Sequence, residues 1–264
     1  MVLTEKLARL EEILRSRTPL LVAYSGGVDS TCLLAAAHRT LGEAVTGIIA
    51  DSPSLPRQAL AEALEVAARI GARVEVVTTQ EFEDERYVSN PVNRCYFCKS
   101  ELFLRMDELA RSRGAAALAY GENADDPAHL RPGSQAAAEF AVIAPLKAAG
   151  LTKADVRELS RRWGLPTADA PAQPCLSSRI PHGTPVTREA IELVERGEAF
   201  LKAQGFRVFR VRYLPAEKPG ARVQVAPDEL ASLFRVEKEV RSGLHEAGFA
   251  SVELDPDGYR GTVA

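Results

Sequence analysis

The chain has no surplus of positive charge: 33 Lys and Arg stand against 36 Asp and Glu, a formal net charge of −3. A nucleic-acid binder would show a basic balance or a strongly basic stretch, so no nucleic-acid partner is expected. No apolar run approaches the roughly 20 residues of a membrane span, which leaves no membrane role to expect. The opening MVLTEKLARLEEILRSR reads as an amphipathic charged helix and lacks the organisation of a signal peptide. Cysteine is scarce, four in 264 residues at uneven spacing. That excludes a disulfide framework and points to a reducing, cytoplasmic setting in which thiols bind metals or do chemistry. What is present is ordinary globular material, 46% hydrophobic and 26% charged, enough for a sizeable core in one large domain or two smaller ones.

Apolar spacing predicts a first helix from Leu3 to Arg15. PLLVAY, AVTGIIAD, RVEVVTT and AAALAYG read as strands, and VIAPL as a short fifth. Helices fall between them: TCLLAAAHRTLG ending at Gly42, Arg57 to Ile70 stopped by Gly71, and Lys99 to Arg113. Strands alternating with helices imply an α/β fold, a doubly wound parallel sheet over residues 1–170. Residues 171–187 lie in a proline-rich stretch and read as a linker that is also a functional loop. Residues 188–264 then run helix, two strands (FRVFRVRYL and ARVQVA), a helix from about Asp228, and the strand FASVELD. That order predicts a small α+β domain with an antiparallel pair.

Ser25-Gly26-Gly27-Val28-Asp29-Ser30 follows the first strand and opens a helix. Two glycines let the backbone approach an anion, and the free N–H groups and positive dipole of the helix start attract phosphate. No Walker A lysine is present. SGGxDS after a first strand instead resembles the PP-loop of the ATP pyrophosphatases, which implies cleavage of ATP between its α and β phosphates, adenylation of a substrate oxygen and release of pyrophosphate. Asp51-Ser52 ends the second strand and is expected to meet the adenosine. Gly121-Glu122-Asn123-Ala124-Asp125-Asp126 ends the fourth and is expected beside the nucleotide, its carboxylates candidates for Mg²⁺. Arg57 and Arg131 are weaker candidates for phosphate contact, a solvated arginine being the simpler reading of each.

Cys95 and Cys98 form a CxxC between a proline-containing loop and a helix. The spacing suits zinc, iron–sulfur clusters and redox dithiols alike. No second CxxC or histidine pair completes a four-ligand zinc site. Cys175, in PAQPCLSSR, supplies a third thiol far along the chain. Three cysteines hold a 4Fe–4S cluster with one iron left open to sulfide; alternatively Cys175 is itself the sulfur donor, activated by the charge of Arg179 or Lys99. Cys32 lies in the apolar helix TCLLAAA and reads as a small buried hydrophobe.

SGGVDS, ADSPSLPR, NRCYFCK, GENADD, APLKAAGLTK and PCLSSRIPHGTP occur in this order, and LDPDGYR closes the set. With them the sequence resembles LarE, the PP-loop sulfur transferases that build the nickel-pincer nucleotide cofactor of lactate racemase. The resemblance implies that ATP adenylates the carboxylates of pyridinium-3,5-biscarboxylic acid mononucleotide, and that sulfur displaces AMP to give thiocarboxylates. It places the sulfur-bearing cysteine on Cys175. Members with that cysteine alone sacrifice it and are left with dehydroalanine. Members that also carry the CxxC, as this chain does, are thought to use a three-cysteine 4Fe–4S cluster, here Cys95, Cys98 and Cys175. The resemblance further implies ATP and Mg²⁺, an exogenous sulfide source, a small-molecule nucleotide substrate and a homo-oligomer built through the small domain.

Arg210 and Arg212 lie two apart on a strand and so share one face; they match the family's arginines for the substrate phosphate. The family also places acidic residues in the small domain, where a metal is one use for them. Glu198 fits, but Gln224 stands where Glu is usual, which puts that metal in doubt. Trp163 reads as helix-end packing, and His38, His129, His182 and His245 have no ligand-spaced partner. Three rival readings remain. A PP-loop tRNA thiolase would need a basic surface, an amide-forming PP-loop synthetase would not need three thiols, and a nucleotide-sensing or zinc-stabilised binding protein would bind ATP without cleaving it to AMP.

Overall fold

The computed structural model describes residues 1–127 and 132–259. His129 and Arg131 lie outside the described residues. In chain order the elements are α1 (Leu3–Arg15), β1 (Leu20–Ala23), α2 (Val28–Leu41), β2 (Val45–Asp51), α3 (Arg57–Ile70), β3 (Val74–Thr78), α4 (Glu85–Val88), α5 (Arg94–Arg113), β4 (Ala117–Tyr120), α6 (Pro132–Glu139), α7 (Pro145–Ala148) and α8 (Lys153–Arg162). They continue with α9 (Arg188–Ala203), β5 (Phe209–Leu214), β6 (Gly220–Val225), α10 (Leu230–Arg235), α11 (Glu237–Ala247) and β7 (Ser251–Leu254). The chain divides into two compact units, one of residues 1–81 and 93–170, the other of residues 82–92 and 171–264.

The first unit is a four-stranded sheet in the order β3-β2-β1-β4, every pairing parallel. Alternate side chains of a strand point to opposite faces, and β1 shows the consequence. Leu20 and Val22 enter one core with Leu10, Leu14, Leu33, Leu34 and Leu159, while Leu21 and Ala23 enter another with Phe103, Met106 and Ala136. Helices therefore cover both faces, the doubly wound arrangement expected of a strand–helix alternation. β1 has β2 on one side and β4 on the other, so the chain order reverses at β1, and the crevice at its carboxyl end is where ligands of such sheets bind.

Two expectations need correction. VIAPL is not a strand but a single parallel bridge, Ala119 to Ile143. Pro145 opens α7 two residues later and the chain turns away. α5 begins at Arg94, five residues earlier than expected, so Cys95 and Cys98 lie inside the helix instead of before it. α8 closes on Trp163 as its C-cap, the helix-end position expected of that residue, and Thr152 and Asp155 form a reciprocal capping box at its start.

The second unit pairs β5 with β6 antiparallel and β6 with β7 parallel. Its own core gathers Val211, Val223, Val225, Leu201, Leu244 and Phe249 beneath α9 and α11. Residues 82–92 brace the proline-rich stretch. The Tyr87 and Ser177 hydroxyls lie 2.7 Å apart, and Asn90 Nδ2 donates to Pro181 O and Thr184 O at 2.8 Å each.

Candidate active site

In the first unit the glycine turn carries the chain from β1 into α2. Gly26 has φ +74°, and a Cβ there would meet the Ala63 Cβ at 2.7 Å, so this position needs glycine on both counts. Gly27 is the N-cap of α2 and offers no side chain. The unpaired N–H groups of the first turn therefore keep their capacity for an anion. Ser30 stabilises the turn from within, its Oγ donating to Gly27 O at 3.1 Å and accepting from Ser25 N–H at 3.2 Å. The turn opens on a cavity of about 130 Å³ lined by Ser25, Gly27, Asp29, Ser30, Lys99 and Gly121 among others. Small-molecule pockets usually run from about 300 Å³ upward, so what is preformed suits a phosphate group and not a whole nucleotide.

Asp29 sits one residue into α2 and is held from two other elements. Lys153 Nζ lies 2.6 Å from its Oδ2, and Asn123 Nδ2 donates to its Oδ1 at 3.2 Å. Glu122 is buried and accepts from the Tyr120 hydroxyl, from Ser134 Oγ at 2.9 Å and from Lys147 Nζ, 3.2 Å away. These donors outweigh burial and hold its carboxyl below the usual glutamate range, though burial is the largest single influence and opposes them. Asp125 accepts from Lys153 N–H, and Asp126 from Asn123 N–H. The adenosine candidates are occupied locally. Asp51 pairs with Arg57 at 2.5 Å, and buried Ser52 donates its hydroxyl to buried Glu81. Arg57 also donates to Ser52 O and Leu55 O, so it braces the turn after β2.

Cys95 is exposed and Cys98 half-buried, three apart on the first turn of α5 and thus on one face of it. Cys32 is fully buried, and burial pushes its thiol up to about 12, so it takes no part in chemistry.

In the second unit Cys175 is half-buried at the start of a short 3₁₀ turn, Leu176–Arg179. Arg179 fixes this turn: it donates from Nη1 to Pro174 O at 2.5 Å and to Cys175 O at 3.0 Å, and forks onto Glu198 at 2.8 and 2.9 Å. Arg210 and Arg212 share a face as expected. Arg210 donates to Ala172 O at 2.9 Å and Arg212 to Ser178 O at 2.8 Å. Burial first, and then the charge of Arg179, lower the pKa of both guanidiniums.

The family's acidic metal set does not fit this chain. Both oxygens of Glu198 are taken by Arg179, and Gln224 links Arg212 to Asp255 through hydrogen bonds of 2.9 and 2.8 Å. Among the described residues no three His, Cys, Asp or Glu side chains gather in a way that would hold a metal ion. His182 is exposed, His245 Nδ1 lies 2.8 Å from Phe249 O, and Trp163 stacks under Arg39 at 5.3 Å.

No protein-family model matches the chain. Among curated proteins, an uncharacterized protein of Synechocystis sp. is 39% identical over 261 residues, 98% of this chain and 96% of the relative. A GMP synthase (glutamine-hydrolyzing) of Thermomicrobium roseum is 29% identical over 211 residues, 70% of this chain but 39% of its own length. The pyridinium-3,5-bisthiocarboxylic acid mononucleotide synthase of Lactiplantibacillus plantarum is 31% identical over 259 residues, 98% of this chain and 93% of that enzyme. This chain belongs to that synthase family. No helix among the described residues is long and apolar enough to cross a membrane.

For a member of the synthase family, two well-placed residues escaped the sequence reading. Lys153 and Lys147 lie in APLKAAGLTK, a segment that marked the resemblance but suggested no role, and each ends on a carboxylate of the first unit. Lys99, read from the sequence only as a charge to activate Cys175, lines the cavity of the glycine turn, its Nζ 5.3 Å from the Tyr120 ring centroid.

Proposed function

We propose that this chain is an ATP-dependent sulfur transferase that converts the carboxylates of pyridinium-3,5-biscarboxylic acid mononucleotide to thiocarboxylates. The observation that carries the reading is the near full-length similarity to a synthase of that product. The glycine turn at the head of α2 supports it, since a neutral backbone anion site suits a phosphate chain.

In this reading a substrate carboxylate oxygen attacks the α-phosphorus of ATP, the bond to the β-phosphate breaks, and pyrophosphate leaves. The acyl adenylate then has AMP as a leaving group, where the free carboxylate had none. Sulfur attacks the carbonyl carbon, AMP departs, and a second round treats the other carboxylate. The turn Ser25–Ser30 holds the phosphates, with Lys99 the cation beside them and Gly121 the facing wall. Mg²⁺ arrives with ATP, and Asp29 is the carboxylate lining the cavity; it would have to exchange Lys153 or Asn123, which engage its two oxygens, to offer the hard donor Mg²⁺ requires. Arg210 and Arg212 take the phosphate of the substrate, which is not transferred and serves as a handle.

Cys95, Cys98 and Cys175 are the thiols we assign to a 4Fe–4S cluster, their donor type being the one such clusters use. When bound, the cluster would supply an iron open to exogenous sulfide. A second reading has Cys175 donate its own sulfur and end as dehydroalanine. Incubation with ATP and the biscarboxylic mononucleotide should give AMP, pyrophosphate and thiocarboxylate. AMP formation only with tRNA as acceptor would overturn the reading. The intact mass of the protein after turnover separates the sulfur sources: loss of the elements of H₂S at Cys175 means sacrifice. An unchanged mass, with iron lost from Cys95→Ala, means a cluster.

A further inference from the structure

The chain leaves β7 through Asp255-Pro256-Asp257-Gly258-Tyr259 and folds back over β6. Asp255 N–H donates to Val223 O at 2.9 Å, Asp257 N–H to Asp255 Oδ1 at 3.0 Å, and Gly258 N–H to Asp255 O at 3.3 Å. Gly258 has φ +68°, and a Cβ on it would come within 2.7 Å of Val225 O. Only glycine lets the chain lie so close. Tyr259 N–H then donates to Val225 O at 2.6 Å, which fixes where its ring can go.

The ring lies against both arginines of β5. Its centroid is 4.5 Å from Arg210 Cζ and 5.9 Å from Arg212 Cζ, and Arg210 Nη2 is 3.5 Å from its hydroxyl. The same turn reaches Arg212 by a second route, because Asp255 accepts from Gln224 Nε2 and Gln224 Oε1 accepts from Arg212 Nε. A glutamate at position 224 could not donate to Asp255 and would face its charge, so the amide is what this linkage needs.

Arg210, Arg212 and Arg179 bring three positive charges together, and Glu198 is committed to Arg179. Left alone, Arg210 and Arg212 would repel one another and turn away. An aromatic face attracts a guanidinium without consuming its N–H donors, which leaves those donors for other work. Arg210 spends Nη1 on Phe209 O and Nη2 on Ala172 O; Arg212 spends Nη1 on Ser178 O and Nε on Gln224. Arg210 Nε and Arg212 Nη2 form no hydrogen bond among the described residues.

We propose that Tyr259 is a positioning residue for a phosphate site: its ring holds Arg210 and Arg212 side by side and leaves one donor of each for the anion. This rests on the assignment of those arginines to the substrate phosphate and adds the residue that orders them. The test compares Y259F and Y259L in the full chain, with inorganic phosphate as the calorimetric probe and ATP binding as the control for folding. Y259L should weaken phosphate binding about tenfold, the order of a desolvated cation–π contact, and Y259F should stay within about twofold because the ring is kept. With the biscarboxylic mononucleotide, KM should rise by the same factor in Y259L while kcat holds. Should Y259L lose ATP binding, Y259Q takes its place. Phosphate binding unchanged in Y259L, or weakened equally in Y259F, overturns the proposal. So does wild-type protein whose phosphate binding is insensitive to Arg210→Ala. Phosphate binding that follows this pattern supports the proposal even if no thiocarboxylate forms, so the two readings fail separately.

Discussion

The two regions proposed to meet phosphate are built from opposite materials. The turn at the head of α2 uses backbone N–H groups made approachable by glycine, and its own charged side chain, Asp29, is negative and balanced by Lys153. Among the described residues, Lys99 is the one cation lining that cavity. The β5 face uses guanidiniums whose charge is disfavoured first by burial and then by the neighbouring charge of Arg179. On the proposed reaction the contrast has a purpose. The phosphates of ATP must be released as pyrophosphate and AMP, so a site of modest charge lets the products go. The phosphate of the mononucleotide is held through two rounds, and a strong ionic grip does no harm there.

The sharpest way to break this comparison is Asp29→Asn, which keeps the shape and removes the charge. If the carboxylate stabilises the reacting phosphates through Mg²⁺, pyrophosphate release should fall about 10²–10³-fold, the scale of losing one electrostatic group at a reaction site. Single-turnover quench of labelled ATP reads the rate. A rate within twofold of wild type would make Asp29 a structural cap joined to Lys153.

Arg210→Ala is next in size. A lost charge-assisted hydrogen bond is worth about 1.5–3 kcal/mol, so affinity for the mononucleotide should drop about 10–100-fold while ATP affinity is unchanged, both by calorimetry. Equal loss of both ligands would end the division of labour between the two sites.

How much of this was readable beforehand follows from how local each signal is. The glycine turn is legible because a strand, two glycines and a helix start are contiguous in sequence. The shared face of Arg210 and Arg212 is legible because strand periodicity needs only two positions. VIAPL misled because its apolar run matches a strand, while Pro145 lets only one bridge form. The partners of Asp29 were out of reach: Asn123 and Lys153 stand 94 and 124 residues away and meet it only through the β4 and α8 ends. The arrangement of Gln224, Asp255 and Tyr259 likewise depends on a glycine dihedral that no residue pattern announces.

The smallest expected effect belongs to Arg57→Ala, and it sharpens the comparison by being small. Arg57 is the arginine an ATP-site reading would recruit for phosphate. Its guanidinium, however, is turned to Asp51 and to the carbonyls of Ser52 and Leu55, and the side chain is 51% exposed. Exposed pairs of this kind contribute about 0–1 kcal/mol, so the melting temperature should move by only a few degrees and KM for ATP by less than about twofold. Steady-state kinetics beside a thermal melt check both. A tenfold rise in KM at unchanged stability would mean that a guanidinium serves the nucleotide after all, and the backbone-built site would then owe part of its affinity to the same side-chain chemistry as β5.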